Sequence, residues 1–319
     1  MTGILDLSFS EYRCVYQAEE QIILPEFTGS LWRGALGHAL LKYACCGQHP
    51  HQTDCVYQRL FEPTNQQVSA IHELLKYSHT LSVPYVIQTL PQPTRHYASG
   101  ETFGFSLILI GNAQHSWSSV LNSLLHLGDY GLGRAGGKAC LKEIRQYAPL
   151  TIPQTLFYGG QVLADPTIAA TTLTIPPAPT AIRVHFLTPV ALSNDALFSV
   201  DRFLMSLIRR ISLLQSYYGY QPLDRNFKQL KQQALALTSQ ATTNLHSGGW
   251  KRYSSRQQLT HPLQGVWGDI TLQGEALAEF WAFLYLGQWL QVGKHANMGM
   301  GRYRLENIDP STFLQAHIH

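Results

Sequence analysis

The feature that most restricts the architecture is a glycine-rich segment that occurs twice. Near the C-terminus the chain reads Gly293-Lys-His-Ala-Asn-Met-Gly-Met-Gly-Arg-Tyr303. A shorter relative, Gly128-Asp-Tyr-Gly-Leu-Gly-Arg134-Ala-Gly-Gly-Lys138, lies in the first half. Both centre on Gly-x-Gly-Arg, and both run into a short alternating apolar segment, Cys140–Ile144 and Tyr303–Ile308. A loop dense in glycine allows close backbone approach and exposes N–H groups to anions. Lys and Arg on the same loop make a phosphate chain its natural guest. Recurrence of the whole pattern implies that the fold is duplicated.

The rest of the chain repeats in step with the loops. Leu5–Ser10 and Ile182–Leu187 alternate apolar and polar residues, so each half is predicted to open with a half-buried strand. A helix is predicted over Ser30–Cys46, with Thr28-Gly29 as its start. Its counterpart, Val200–Tyr218, has apolar residues at helical spacing and Gly219 as a stop. Strand signals follow at Thr102–Ile110 and Leu263–Leu272, then helices at His115–His126 and Glu275–Leu290, before each glycine loop and closing strand. The order β-α-β-β-α-β is the ferredoxin-like unit. The expectation is an α+β protein of two such domains, 1–148 and 181–319, joined by a Pro-, Thr- and Ala-rich linker over 149–180 with room for one strand.

A length of 319 residues suits two domains of about 150. Net charge is only +3, so affinity for nucleic acid must come from local basic patches rather than a global field. The first residues lack the basic region of a signal peptide, and Asp6 interrupts the apolar run. The longest apolar stretch, Phe280–Leu290, is too short to span a bilayer and contains Gly287 and Gln288. Five cysteines, an odd number in a long chain, do not read as a disulfide framework. A reduced, cytoplasmic protein is expected.

Several segments resemble a known family. They are Phe27-Thr-Gly-Ser-Leu-Trp-Arg-Gly-Ala-Leu-Gly-His38, Cys55-Val-Tyr-Gln-Arg-Leu-Phe61, Phe186-Leu-Thr-Pro189, Trp250-Lys-Arg-Tyr-Ser-Ser-Arg256 and the terminal glycine loop. In that order and spacing the chain is similar to the RAMP proteins of CRISPR systems, and among them to the endoribonucleases that process pre-crRNA. The resemblance covers nearly the whole chain. It implies metal-independent cleavage of CRISPR repeat RNA, with the 2′-hydroxyl attacking the adjacent phosphate to leave a 2′,3′-cyclic phosphate and a 5′-hydroxyl. It also implies repeat RNA or crRNA as partner, contact with other effector subunits, and no cofactor. The family commonly carries its key histidine on the first helix.

That chemistry needs a base for the 2′-OH, an acid for the leaving oxygen and positive charge near the phosphorane. On a helical wheel Ser30, Arg33, Gly34, Gly37, His38 and Lys42 share one sector, while Trp32, Ala35, Leu36, Ala39, Leu40 and Tyr43 share the other; Leu31 and Leu41 break the pattern. His38 and Lys42 are therefore the catalytic candidates and Arg33 an RNA contact. Gly34 and Gly37 either admit a backbone or allow close packing on the sheet. Lys251, Arg252, Tyr253 and Arg256 interleave cations with aromatics in the manner of RNA-binding surfaces, or form a strand with its aromatics turned inward. Lys294, His295 and Arg302 belong to the C-terminal loop, which is expected to hold the RNA backbone. Arg302 has a structural alternative in bracing that loop, and the N-terminal copy is expected to be mainly structural. His246 and His295 are the alternative catalytic histidines, and a non-catalytic crRNA-binding subunit is the alternative function. Cys45, Cys46, His49, His51 and Cys55 are enough to ligate zinc, but their spacing matches no standard knuckle, so unligated cysteines and no metal are expected.

Overall fold

The computed structural model describes residues 7–52, 54–63, 82–89, 95–147, 152–168, 175–192, 198–219, 223, 225–254 and 259–308. They fall into two compact units, Asp6–Leu173 with Leu213–Pro222, and Thr174–Ser212 with Leu223–His319. No helix among the described residues is long and apolar enough to cross a membrane.

In the first unit the elements run β1 (Phe9–Ala18), β2 (Ile22–Leu24), α1 (Gly29–Tyr43), α2 (Val56–Phe61), β3 (Tyr85–Gln88), β4 (Arg95–Tyr97), β5 (Thr102–Ile110), α3 (Trp117–Leu125), β6 (Ala139–Tyr147), β7 (Gln154–Tyr158) and β8 (Gln161–Val162). The main sheet has the order β3-β5-β1-β6-β7-β8, while β2 and β4 form a separate ribbon. Its four central strands keep the ferredoxin-like order, every pairing antiparallel. The first strand lies later than the alternation of Leu5–Ser10 suggested: Tyr12, Cys14, Tyr16 and Ala18 supply the buried side. Tyr12 stacks on Trp117 of α3 at 4.2 Å. Trp32 of α1 stacks on Phe105 of β5 at 4.4 Å. Two large aromatic anchors outweigh a short alternating apolar run in deciding which residues enter the sheet. Within the segment read as a linker, β7 and β8 extend this sheet, two strands where one was expected.

The second unit repeats the plan with β9 (Ala181–Val190), α4 (Val200–Tyr218, of which the residues from Leu213 on are assigned to the first unit), α5 (Phe227–Gln240), β10 (Thr242–Ser254), β11 (Leu259–Gln273), α6 (Leu277–Leu290) and β12 (Tyr303–Asn307). Its sheet order, β10-β11-β9-β12, places the strands as the first sheet does: opening strand between the third and the last. Tyr303, which follows the Gly-x-Gly-Arg loop, is fully buried and its Oη donates to the carbonyl of Leu284 at 2.8 Å. The duplication implied by the loops is thus present in strand order. The fold is a tandem of ferredoxin-like α+β units.

Candidate nucleic-acid interface and active site

The first candidate element is α1. Trp32, Leu36, Ala39 and Leu40 are buried against the first sheet, and Gly34, His38 and Lys42 are exposed. Steps of four residues put those three on one stripe of the helix. The two glycines in this helix have different roles. A Cβ on Gly37 would collide with the ring of Phe61 in α2, so Gly37 exists for packing. A Cβ on Gly34 would meet nothing within 4 Å, so Gly34 leaves a notch in the exposed stripe one turn before His38. Arg33, expected among the RNA contacts, is half-buried with its guanidinium 4.4 Å over the Phe61 ring.

What faces the stripe comes from the N-terminal glycine loop. A short 3-10 turn, Leu127–Tyr130, carries Tyr130 to α1. The His38 ring meets the Tyr130 ring edge-on at 4.4 Å. The Lys42 ammonium lies 4.8 Å from the same ring centre. The Tyr43 hydroxyl is 3.2 Å from that of Tyr130. Tyr43 in turn stacks on His126 at 4.4 Å, and His126 Nδ1 sits 2.9 Å from the Asp129 carboxylate. Hydrogen bonding between Lys42 and the Tyr130 phenol raises the ammonium above the ordinary lysine value, so the group stays a cation through the physiological range. The same bond lowers the Tyr130 phenol, with a second contribution from Tyr43. One phenol therefore holds a histidine and a lysine side by side on an open helix face, with a second histidine behind it. Such a set offers proton donors and acceptors beside a fixed positive charge.

His38 and Lys42 were legible in the sequence; Tyr43, His126, Asp129 and Tyr130 were not. Tyr130 lies inside the repeated motif, but the other copy has no tyrosine in the matching place to mark it. The N-terminal copy, expected to be mainly structural, supplies the phenol on which His38 rests.

The C-terminal loop differs from expectation in its backbone. The N–H of Lys294 donates to Ala191 O at 2.6 Å, that of Met298 to His295 O at 2.9 Å, and that of Gly301 to Pro189 O at 2.9 Å. The N–H of Arg302 donates at 2.8 Å to Thr188 Oγ1, which itself donates to Gly299 O. These groups are taken by the fold and do not form an anion cradle. Gly301, at φ 69°, runs against the Val292 carbonyl, where any Cβ would collide. The glycines here serve backbone packing. Lys294 is exposed, His295 adopts a left-handed φ of 61° and Arg302 is half-buried; any anion contact would come from side chains.

On β10, Lys251 is exposed beside Trp250, which is buried and edge-on to Trp267 at 4.8 Å. Trp250 is a core residue, not a base-stacking platform. Arg252 and Tyr253 lie in the strand opposite His261 and Thr260 in backbone register, and Arg256 lies outside the described residues. His246 stacks near Trp267 at 6.4 Å. The five residues Arg33, Lys251, Arg252, Lys294 and Arg302 thus sit on several elements, and the dense side-chain cluster belongs to α1 and the Tyr130 turn.

The duplicated fold has counterparts among solved structures. A Cas6 product complex matches with a TM-score of 0.55 and 16% identity, over 93% of this chain and 100% of that one. Thermus thermophilus Cas6 matches at 0.51 and 14%, over 94% and 99%. The match to a partial Cas6-RT-Cas1–Cas2 complex is also 0.51 and 14%, over 95% of this chain and 47% of that one. At these identities the likeness concerns the fold. No curated protein matches the chain in sequence. Among family models, one described as an N-terminal domain matches residues 7–169, and the one for the CRISPR-associated endoribonuclease Cas6 matches residues 184–303. The second ferredoxin-like unit thus matches the model of the CRISPR-associated endoribonuclease Cas6, and the tandem fold of the whole chain is similar to that of solved Cas6 structures.

Proposed function

We propose that this protein cleaves CRISPR repeat RNA at the exposed face of α1 by attack of the ribose 2′-oxygen on the adjacent phosphorus. The new O–P bond forms as the P–O5′ bond breaks. The 2′-hydroxyl proton passes to a base, the leaving 5′-oxygen takes a proton from an acid, and the ends are a 2′,3′-cyclic phosphate and a 5′-hydroxyl. The observation that carries this reading is the convergence of His38 and Lys42 on Tyr130 beside the notch at Gly34. His38 acts as general acid or base, Lys42 opposes charge on the phosphorane, and Tyr130 positions both. Lys251, Arg252, Tyr253, Arg256, Lys294, His295 and Arg302 are proposed as contacts along the RNA. The deciding experiment is incubation with the cognate repeat in EDTA, followed by analysis of the product ends. Cleavage to a cyclic phosphate is expected. A repeat that is bound but left intact would make the protein a non-catalytic crRNA-binding subunit, and a requirement for Mg²⁺ would overturn the mechanism.

The two glycines of α1 separate folding from RNA contact. Gly34→Ala adds a methyl to open space and removes a poor helix former, a stabilisation of about 1 kcal/mol. It is expected to melt higher than the parent and to bind repeat RNA more weakly, because the notch is filled. Gly37→Ala pushes on the Phe61 ring and is expected to melt lower. Thermal melts and binding isotherms of the pair check this, and an unchanged RNA affinity in Gly34→Ala would remove the notch from the interface.

A further inference from the structure

The cluster that the proposed chemistry leaves unused follows α1 directly. Cys45 and Cys46 come immediately after the helix's last cap residue, Ala44; His51 lies in the following loop; and Cys55 caps the start of α2. In sequence their spacing fits no standard pair of ligand knuckles. In space their four ligand atoms all lie within 4.8 Å of one another. His51 Nδ1 is 3.4 Å from Cys45 Sγ, 3.6 Å from Cys46 Sγ and 3.8 Å from Cys55 Sγ, and the Cys45 and Cys55 sulfurs are 4.0 Å apart. Zinc bonded to sulfur at about 2.3 Å and to nitrogen at about 2.0 Å in a tetrahedron puts sulfur atoms about 3.8 Å apart and sulfur about 3.5 Å from nitrogen. The three sulfur–nitrogen distances and the Cys45–Cys55 distance are close to such edges, and the other two sulfur pairs lie within 4.8 Å.

Backbone donors hold two of the sulfurs in place. The backbone N–H of Gly47 donates to Cys45 Sγ at 3.4 Å, and that of Cys46 to Cys55 Sγ at 3.5 Å. Gly47 takes a φ of 71°, a left-handed turn that lets the chain fold back over the first sulfur. Donors of this kind orient a sulfur ligand. His51 is flanked by Tyr57, with ring centres 5.6 Å apart, which limits the ring's rotation. His49 lies on the other side, its ring centre 5.7 Å from that of His51, yet it contributes no atom to the four.

We propose that Cys45, Cys46, His51 and Cys55 bind one zinc ion as a structural site. Three soft sulfurs and one imidazole suit zinc over magnesium or calcium. Four protein ligands fill the tetrahedron and leave no position for a water nucleophile, which separates this ion from the proposed RNA chemistry. On binding, the three thiols give up their protons and His51 coordinates through Nδ1 as the neutral ring. The ion clamps the end of α1, just past Lys42 and Tyr43, to the start of α2.

The test is the metal content of the full chain, purified without chelator and desalted. About one zinc per chain is expected by elemental mass spectrometry, together with loss of thermal stability on transfer to a strong thiol-competing chelator. Cobalt(II) in place of zinc should give thiolate charge-transfer bands and the intense visible bands of a tetrahedral site. His51→Ala and Cys46→Ser should lose both metal and bands, whereas His49→Ala should keep them. Because content is read on the parent protein, misfolding of a variant does not spare the proposal. Parent protein that takes up neither zinc nor cobalt, or that carries a Cys45–Cys55 disulfide in its place, would overturn it. Zinc lost in His49→Ala but kept in His51→Ala would overturn the ligand set.

Discussion

A repeat RNA with a single 2′-deoxy nucleotide at the cleaved position is expected to bind normally and to remain uncut, while deoxy substitutions elsewhere are tolerated. In the proposed reaction the nucleophile is supplied by the substrate, and the exposed stripe of Gly34, His38 and Lys42 offers an imidazole, an ammonium and nearby phenols to act on it. Removing one oxygen then removes the reaction, so the loss extends to the limit of detection, whereas a change in contacts alone would alter affinity by a modest factor. Binding isotherms and single-turnover cleavage on the same pair of RNAs check both halves of the expectation. Cleavage that survives the substitution would require an external nucleophile and would transfer the search to a different site.

His38→Ala is expected to slow single-turnover cleavage by roughly 10² to 10⁴-fold, the usual range for a lost acid–base group, with little change in affinity. The side chain is exposed and touches Tyr130 alone among the described rings, so its removal leaves the core of the first unit intact. Tyr130→Phe sharpens the test. It keeps the ring against which His38 rests but removes the hydroxyl shared with Tyr43 and Lys42. A rate loss smaller than that of His38→Ala, with binding retained, is expected for a residue that positions the other two. Equal loss of rate and affinity in His38→Ala would reduce His38 to an RNA contact, and full activity would return attention to His246 or His295.

Helix burial and site membership were legible to different degrees. The side of α1 that packs follows from periodicity, since Trp32, Leu36 and Leu40 recur at intervals that a helix turns into one stripe, and the opposite stripe delivered His38 and Lys42 without reference to any neighbour. The same reasoning put Tyr43 in the packing sector, where its half-buried ring does pack on the core, but a wheel assigns only an angle and could not show that the phenol also reaches Tyr130. It also left the roles of the two glycines open, because only Phe61, brought back by α2, distinguishes Gly37 from Gly34.

By itself the sequence determined the duplication, the β-α-β-β-α-β order of each half and the polar stripe of the first helix. These are local properties: turn residues, apolar period and their recurrence act within a few residues of one another. Tertiary structure alone decided what meets that stripe and what the loops are for. Tyr130 reaches His38 because the turn that opens the first glycine loop folds onto α1, a contact that no spacing along the chain encodes. The N–H groups of the second loop could have faced an anion, yet the carbonyls of Pro189 and Ala191 and the hydroxyl of Thr188 take them, since a buried donor must find an acceptor. The cysteine cluster makes the same point: its linear spacing matches no familiar metal motif, and a turn through Gly47 brings four ligand atoms within 4.8 Å of one another.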